Sequence, residues 1–202
     1  MPFGFGKKSD RAQTGAESPA VSAPSGGLPF EGLTEDWRLG GVLHVEGRLS
    51  DVLNKREAIA MSQAWWAPAD GSGPSEPAPG LRSIDPYDLI IVLAGPTSLP
   101  PLTEEERAAH RIHKVPYDVE LEVPPFRVQG VVHLYPGWEP DRLLEGGTRG
   151  GKDMFVPVTD ALAYHGDRLL SQGGADVILV NRFYLRGVKQ MERGGEVAPG
   201  PG

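Results

Sequence analysis

Phe126–Tyr135 reads F-R-V-Q-G-V-V-H-L-Y, and Trp37–Glu46 reads W-R-L-G-G-V-L-H-V-E. With Trp37 laid on Phe126, Arg38 falls on Arg127, Gly41 on Gly130 and His44 on His133, with apolar residues between. Apolar residues recur at every second position, the period at which a strand returns its side chains to one face. In the first copy Trp37, Leu39, Gly41, Leu43 and Val45 share one face, and Arg38, Gly40, Val42 and His44 share the other. The chain thus states a half-buried strand twice, and the segments after the two copies can be compared.

After the first copy comes Arg48–Asn54, R-L-S-D-V-L-N. Leu49 and Leu53 are one helical turn apart. Ser50 or Asp51 is suited to cap the free amides of such a turn, and Asn54 to end it in the left-handed conformation. A one- to two-turn helix closing a barrel mouth is predicted. Ala58–Trp66 reads as the next strand, and Ala67–Gly80, full of Pro and Gly, as a loop. Asp88–Ala94, D-L-I-I-V-L-A between Pro86 and Gly95, reads as a strand buried on both faces. The second half runs in parallel. Asp141–Leu144 matches Asp51–Leu53, Phe155–Ala161 matches Ala58–Ala64, and Asp176–Val180 matches Asp88–Val92.

Val115–Val123 alternates apolar and polar residues. It is expected to continue as one bent strand through Pro124-Pro125 into Phe126, as small barrels turn corners. Asp118, Glu120 and Glu122 share its polar face and read as an exposed acidic edge. Tyr164–Gln172 reads as a hairpin with His165-Gly166-Asp167 at its tip, and Asn181–Val188 as the last strand. Between the halves, Thr103 and Glu106 form a capping box, and a polar surface helix is predicted.

The expected organisation is a disordered tail over 1–30, a first β repeat over 31–98, a connecting helix over 99–114, a second β repeat over 115–190 and a disordered tail over 191–202. The tails are rich in Ala, Ser, Pro and Gly, which bury too little surface to offset ordering entropy. Phe3, Phe5, Lys7 and Lys8 stand out in the first, as a tethered docking peptide would. The fold class expected is mainly β: two tandem, degenerate small β-barrel units of SH3-like or Sm-like size, with short helical turns and one connecting surface helix.

Composition narrows the function classes. There are 27 Gly and 20 Pro in 202 residues and no Cys, which points to turns and short strands and excludes disulfides and thiolate chemistry. The net charge of −7 supplies no counterion-release drive toward nucleic acid or anionic membranes. No apolar run approaches the ~20 residues of a membrane span, and M-P-F-G-F-G-K-K lacks the apolar core of a secretory signal. A cytoplasmic location is expected.

The repeated elements resemble an uncharacterised bacterial family of small β-barrel domains. Its units carry R-x-x-G-x-x-H, then R-L-S-D-x-L-N, then strands like F-V-P-V-T-D and V-I-L-V-N-R. Here Arg48–Asn54, Phe155–Asp160 and Val177–Arg182 carry the last three. The first half lacks the F-V-P-V-T-D form, and the second has lost Ser and Asn from the helical turn. The resemblance covers roughly residues 37–188. It implies a barrel of SH3-like or Sm-like size and carries over no catalytic residue.

Candidate chemistry is sparse. Gly146–Asp153, G-G-T-R-G-G-K-D, scans as G-x-x-x-x-G-K but ends in Asp, and lacks both a preceding strand and a following helix. It reads as a surface insertion. Arg38, His44, Arg127 and His133 are candidate ligand-binding residues, because duplication would present them in pairs. Two arginines favour an anion over a metal, and two histidines without a third ligand are too few for zinc. No G-x-S-x-G elbow supports a hydrolase, no cyclic-dinucleotide motif appears, and RNA binding would need stacking aromatics on a basic face. Trp65 and Trp66 are adjacent, so a strand points their rings opposite ways: one to the core, the other to a candidate interface.

No catalytic residue, metal or cofactor is assigned. The function expected is a non-enzymatic binding or scaffold module, with an unknown protein partner or a second copy of itself. The alternative is a small-molecule or anion sensor, or a metal-dependent enzyme, with its site between the repeats around His44 and His133.

Overall fold

The computed structural model describes residues 27–95, 114–147, 153–171 and 177–191. Its strands are β1 (Leu28–Leu33), β2 (Trp37–Leu43), β3 (Ile59–Pro68), β4 (Glu76–Pro77), β5 (Ser83–Ile84), β6 (Ile91–Ala94), β7 (Val115–Val123), β8 (Phe126–Leu134), β9 (Phe155–His165), β10 (Arg168–Leu169), β11 (Val177–Asn181) and β12 (Gly187–Gln190). A short helix, α1 (Leu49–Asn54), and 3-10 segments at Pro86–Asp88 and Pro140–Gly147 accompany them. The chain is mainly β, as its patterning predicts. The strands join one antiparallel sheet, not closed into a barrel, in the order β12-β7-β8-β9-β11-β6-β1-β2-β3-β4. β10 pairs with β9, and β5 with β3.

Both halves follow one pairing scheme. In the first, β1-β2-β3 is a meander, β5 lies against β3, the Pro86–Asp88 turn follows, and β6 returns to β1. In the second, β7-β8-β9 is the meander, β11 lies against β9, a turn follows Asn181, and β12 returns to β7. One matched pair of segments is corrected by this scheme. Asp176–Val180 and Asp88–Val92 share an apolar pattern but not a place, since β6 pairs with the first strand of its half and β11 with the third. Both are buried on two faces, and burial alone produces the shared pattern.

Local chemistry explains the details. The β2–β3 register shifts between Gly40 and Val42, and the β8–β9 register between Gln129 and Val131. The extra residues lie on β3 and β9, where Gln63 and Asp160 hold positive φ, at 52° and 50°, opposite Gly41 and Gly130. A Cβ at Gly41 would lie 2.7 Å from the Ser62 carbonyl oxygen, and one at Gly130 would lie 2.7 Å from that of Thr159. The recurring glycine admits close backbone approach at a bulge.

Other expectations are revised. Residues 28–30 belong to β1, not to a tail. Pro124-Pro125, a cis peptide, forms a tight hairpin between β7 and β8, with Val123 opposite Phe126, and not a bend in one strand. A two-residue turn needs no ladder amide, so prolines fit there. The acidic face of β7 is no edge: β12 pairs with Val119–Glu122, and Glu120 accepts from Gln129 at 2.6 Å. The N-cap of α1 is Arg48, without a side-chain cap, and Ser50 and Asp51 sit inside the first turn. Asn54 accepts from the Phe155 amide at 2.8 Å, which ties α1 to the second half. Within the expected Ala67–Gly80 loop, β4 pairs with Trp65 and Trp66. The connecting helix, the terminal tails and most of the Gly146–Asp153 loop lie outside the described residues.

Two cores form, one on each side of the junction between halves. One gathers α1, Leu43, Ile59 and Phe155; the other gathers Leu121, Phe126, Val128 and Val158. The adjacent strands β6 and β11 feed both. Val92 and Leu179 enter the first core, and Ile91, Ile178 and Val180 the second. This alternation is why Ile91–Ala94 reads as an unbroken apolar run.

Candidate functional site

The side chains expected to carry ligand chemistry do not converge. Arg38 lies on β2 and His44 just beyond it, whereas Arg127 and His133 lie on β8, with β9, β11, β6 and β1 between in sheet order. Each arginine is held by a glutamate of the preceding strand. Arg38 donates Nε–H to Glu31 at 2.6 Å and ion-pairs with it, and Arg127 lies 3.7 Å from Glu120 and over the Tyr164 ring. These cross-strand pairs consume the positive charge that an anion would need. Both histidines are exposed. His44 lines a cleft of about 450 Å³ with Glu46, Val52, Lys55 and Glu57, between the end of β2, α1 and the start of β3. His133 does not line it. Among the described residues no group of three His, Asp or Glu side chains gathers as metal ligands.

The tryptophans do converge. Thr34 accepts from the Trp37 amide at 3.1 Å, and its own amide donates to the Trp37 carbonyl at 2.8 Å, which closes the β1–β2 hairpin with Glu35 and Asp36 at its tip. Trp37 therefore stands at the rim of the sheet. On β3, Trp66 faces the same way, and the two rings stack at 4.7 Å with their planes 22° apart. Trp37 is 41% exposed and Trp66 40%. Trp65 points oppositely and is half-buried across Gly40, where a Cβ would lie 2.2 Å from its ring. Trp65 and Trp66 thus point opposite ways, as adjacent strand residues do; Trp66 shares the face of its register partner Leu39, at the rim beyond the core, and sequence reasoning missed its stacking partner, Trp37. The period of two puts Trp37 on the core face, but the terminal position of a strand escapes its core. At the matching place in the second half, Phe126 is 3% exposed.

Acidic residues neighbour the stacked pair along the backbone: Glu35 and Asp36 precede Trp37, and Glu76 is the register partner of Trp66. Indole faces and carboxylates together favour a cation. A second exposed pair, Tyr87 and Phe183, stacks at 5.8 Å on the junction between the halves, with Arg56 over Phe183. The Tyr184 hydroxyl donates to the Tyr87 carbonyl there at 2.9 Å.

Arg182 is structural. Its guanidinium donates to the Leu143 and Arg142 carbonyls at 3.1 and 3.2 Å and so holds the middle of the Pro140–Gly147 segment. Burial pulls it below the ordinary arginine value, against the attraction of Asp153. Among the described residues no helix is long and apolar enough to cross a membrane. Comparison with protein-family models, with curated proteins and with solved structures finds no match.

Proposed function

We propose that the chain is a non-enzymatic recognition module, built of two duplicated units of small-barrel size. Its contact surface is the stacked pair Trp37 and Trp66. The observation that carries this reading is the exposure of two mutually stacked indoles on neighbouring strands, with Glu35 and Asp36 preceding Trp37 and Glu76 in register with Trp66. Tryptophan is enriched in binding hot spots, and a ring already ordered by a neighbour loses little entropy on docking. The carboxylates and the net charge of −7 fit a partner presenting lysine or arginine beside apolar side chains. The matched bulges at Gln63 and Asp160, and the matched ion pairs Arg38–Glu31 and Arg127–Glu120, support the duplication. The reading of a sensor or metal-dependent enzyme around His44 and His133 has less support, because those residues lie on separated strands.

The test is affinity capture from the native host with wild type, Trp37→Ala and Trp66→Ala, together with light scattering on each. The wild type is expected to retain a partner, or a second copy of itself, that both variants lose. Identical capture and identical mass across all three would remove the tryptophan pair as the contact surface. Thermal shift with phosphate and with zinc tests the rival, for which stabilisation lost in Arg38→Met or His133→Ala is the supporting result.

A further inference from the structure

The two halves meet where β11 pairs with β6, and this seam has a built-in sense. Its register sets Val177 opposite Ala94, Ile178 opposite Leu93, Leu179 opposite Val92 and Val180 opposite Ile91. At its end Asn181 is fully buried. Its amide nitrogen donates to the Leu89 carbonyl at 2.7 Å and lies 3.5 Å from the Pro86 carbonyl. Its main-chain amide donates to Ile90 at 2.9 Å.

Each half carries both partners of such a seam. Asp85 begins the first turn as Asn181 begins the second. Asp85 Oδ1 accepts from the Tyr87 amide at 2.9 Å, and Asn181 Oδ1 from the Phe183 amide at 3.0 Å. Leu89 then donates to Pro86, and Leu185 to Arg182. Past the turns, the Ile90 amide donates to Leu33 and the Arg186 amide to Glu122, each at 2.8 Å. β5 therefore stands where β11 stands, and β12 where β6 stands. Among the described residues neither has a strand on its far side. The backbone of a second copy fits both edges, because head-to-tail pairing of β5 on β12 repeats the seam, and a heterologous contact of this kind propagates.

The side chains oppose it. In the copied register Arg82 lies opposite Lys189, where the seam has Ile178 and Leu93. Ser83 lies opposite Val188, and Ile84 opposite Gly187, where no side chain packs. Asp85 takes the place of Asn181. It lacks the donor that the carbonyls of Leu185 and Arg182 would require, and brings a negative charge to them instead. We infer that the seam is a single-use junction. The side chains Arg82, Asp85 and Lys189 bar a second copy from the two edges shaped to receive it. Charged residues on edge strands are a recognised guard against such pairing.

The chain has no cysteine, so crosslinking tests this directly. Ser83→Cys with Val188→Cys places thiols on residues that would be opposite in a copied seam. In the otherwise wild-type chain, oxidation is expected to give no disulfide-linked ladder. With Asp85→Asn and Lys189→Glu added, which restores the amide donor and opposes a carboxylate to Arg82, a ladder of covalent multimers is expected. In the cysteine-free chain the same two changes are expected to give a mass by light scattering that rises with concentration. Circular dichroism checks that each variant keeps its strands. A ladder in the wild-type background overturns the inference, because the edges are then not barred. A folded double variant that neither crosslinks nor gains mass overturns it too, because these side chains are then not the bar. This test is independent of the tryptophan surface, and Trp66→Ala is expected to leave every one of these outcomes unchanged.

Discussion

The side-chain amide of Asn181 donates to the main-chain oxygen of Leu89 across 2.7 Å, inside the junction of the two halves. The same side chain accepts from the Phe183 amide, so one buried residue holds both turns. Asn181→Asp keeps the shape and the acceptor but loses the donor. Leaving a buried carbonyl unsatisfied costs about 1–3 kcal/mol, and the new carboxylate adds its own desolvation. A loss of at least about 2 kcal/mol is expected at pH 7, read as a lower urea midpoint. Burial would raise the introduced carboxyl above its unfolded value, so the deficit should shrink as pH falls and the group becomes a neutral donor. An equal deficit at pH 7 and pH 4 would show that the amide donor is not what Asn181 contributes.

Gly41 and Gly130 lie pressed against the bulges of the next strands, β3 and β9. An added Cβ at Gly130 would meet the Thr159 carbonyl oxygen at 2.7 Å and the Ala161 Cα at 3.0 Å, both of them backbone. Backbone cannot swing aside, so Gly130→Ala and Gly41→Ala are each expected to cost about 1–3 kcal/mol as overpacking. Gly95 has open space around its missing Cβ. Gly95→Ala is the control and should stay within about 0.5 kcal/mol of the parent. Thermal unfolding of the three variants checks the contrast.

How much of the fold is legible in the residues depends on what sets each element. The strands around Trp37 and Phe126 were legible because side-chain alternation reports a half-buried strand. The matching of Phe155–Ala161 to Ala58–Ala64 agrees with the positions of the bulges, since a glycine pressed on a neighbouring backbone leaves a fixed mark in both strands. The places of β6 and β11 were not legible. Both are buried on two faces, so their apolar runs look alike, and nothing local says which strand each pairs with. The Pro124-Pro125 hairpin was missed because a proline pair fits a bend as well as a turn. At the candidate surface, the adjacency of Trp65 and Trp66 implies that their rings point opposite ways, but not which of them is exposed. Trp37, the stacking partner of Trp66, was hidden, because alternation does not mark where a core ends.

Trp65 and Trp66 differ in burial, and their variants should separate stability from recognition. Trp65 lies across Gly40 and lines a groove with Phe30, Gly41 and Leu93. Trp65→Ala is expected to cost about 2 kcal/mol, below the range for a fully buried tryptophan. Trp66→Ala removes an exposed stacked ring and should cost no more than about 1 kcal/mol. Chemical denaturation measures both. A Trp66→Ala chain as destabilised as Trp65→Ala would mean that the exposed indole supports the sheet and is not kept for contact.

Tyr184 provides a pH signature for the junction. Burial first, then the negative charges of Asp88 and Glu35, raise its phenol above the ordinary tyrosine value, and Arg186 opposes them. The hydroxyl donates to the Tyr87 carbonyl at 2.9 Å, a bond that only the neutral phenol makes. The folded state thus holds the proton more tightly than the unfolded chain. The resulting stabilisation is fully present below the unfolded value near pH 10 and is lost as pH rises through the higher folded value. Between about pH 9.5 and 11.5 the wild type should lose stability more steeply than Tyr184→Phe, which has no proton to release at that position. At pH 7 the variant should be the weaker, by the roughly 1 kcal/mol of a lost hydrogen bond. Urea unfolding at pH 7, 9.5, 10.5 and 11.5 on both chains measures this, with the two curves expected to converge as pH rises. Parallel curves across the alkaline range would mean that Tyr184 ionises with equal ease folded and unfolded, and that the contact with Tyr87 contributes nothing to holding the halves together.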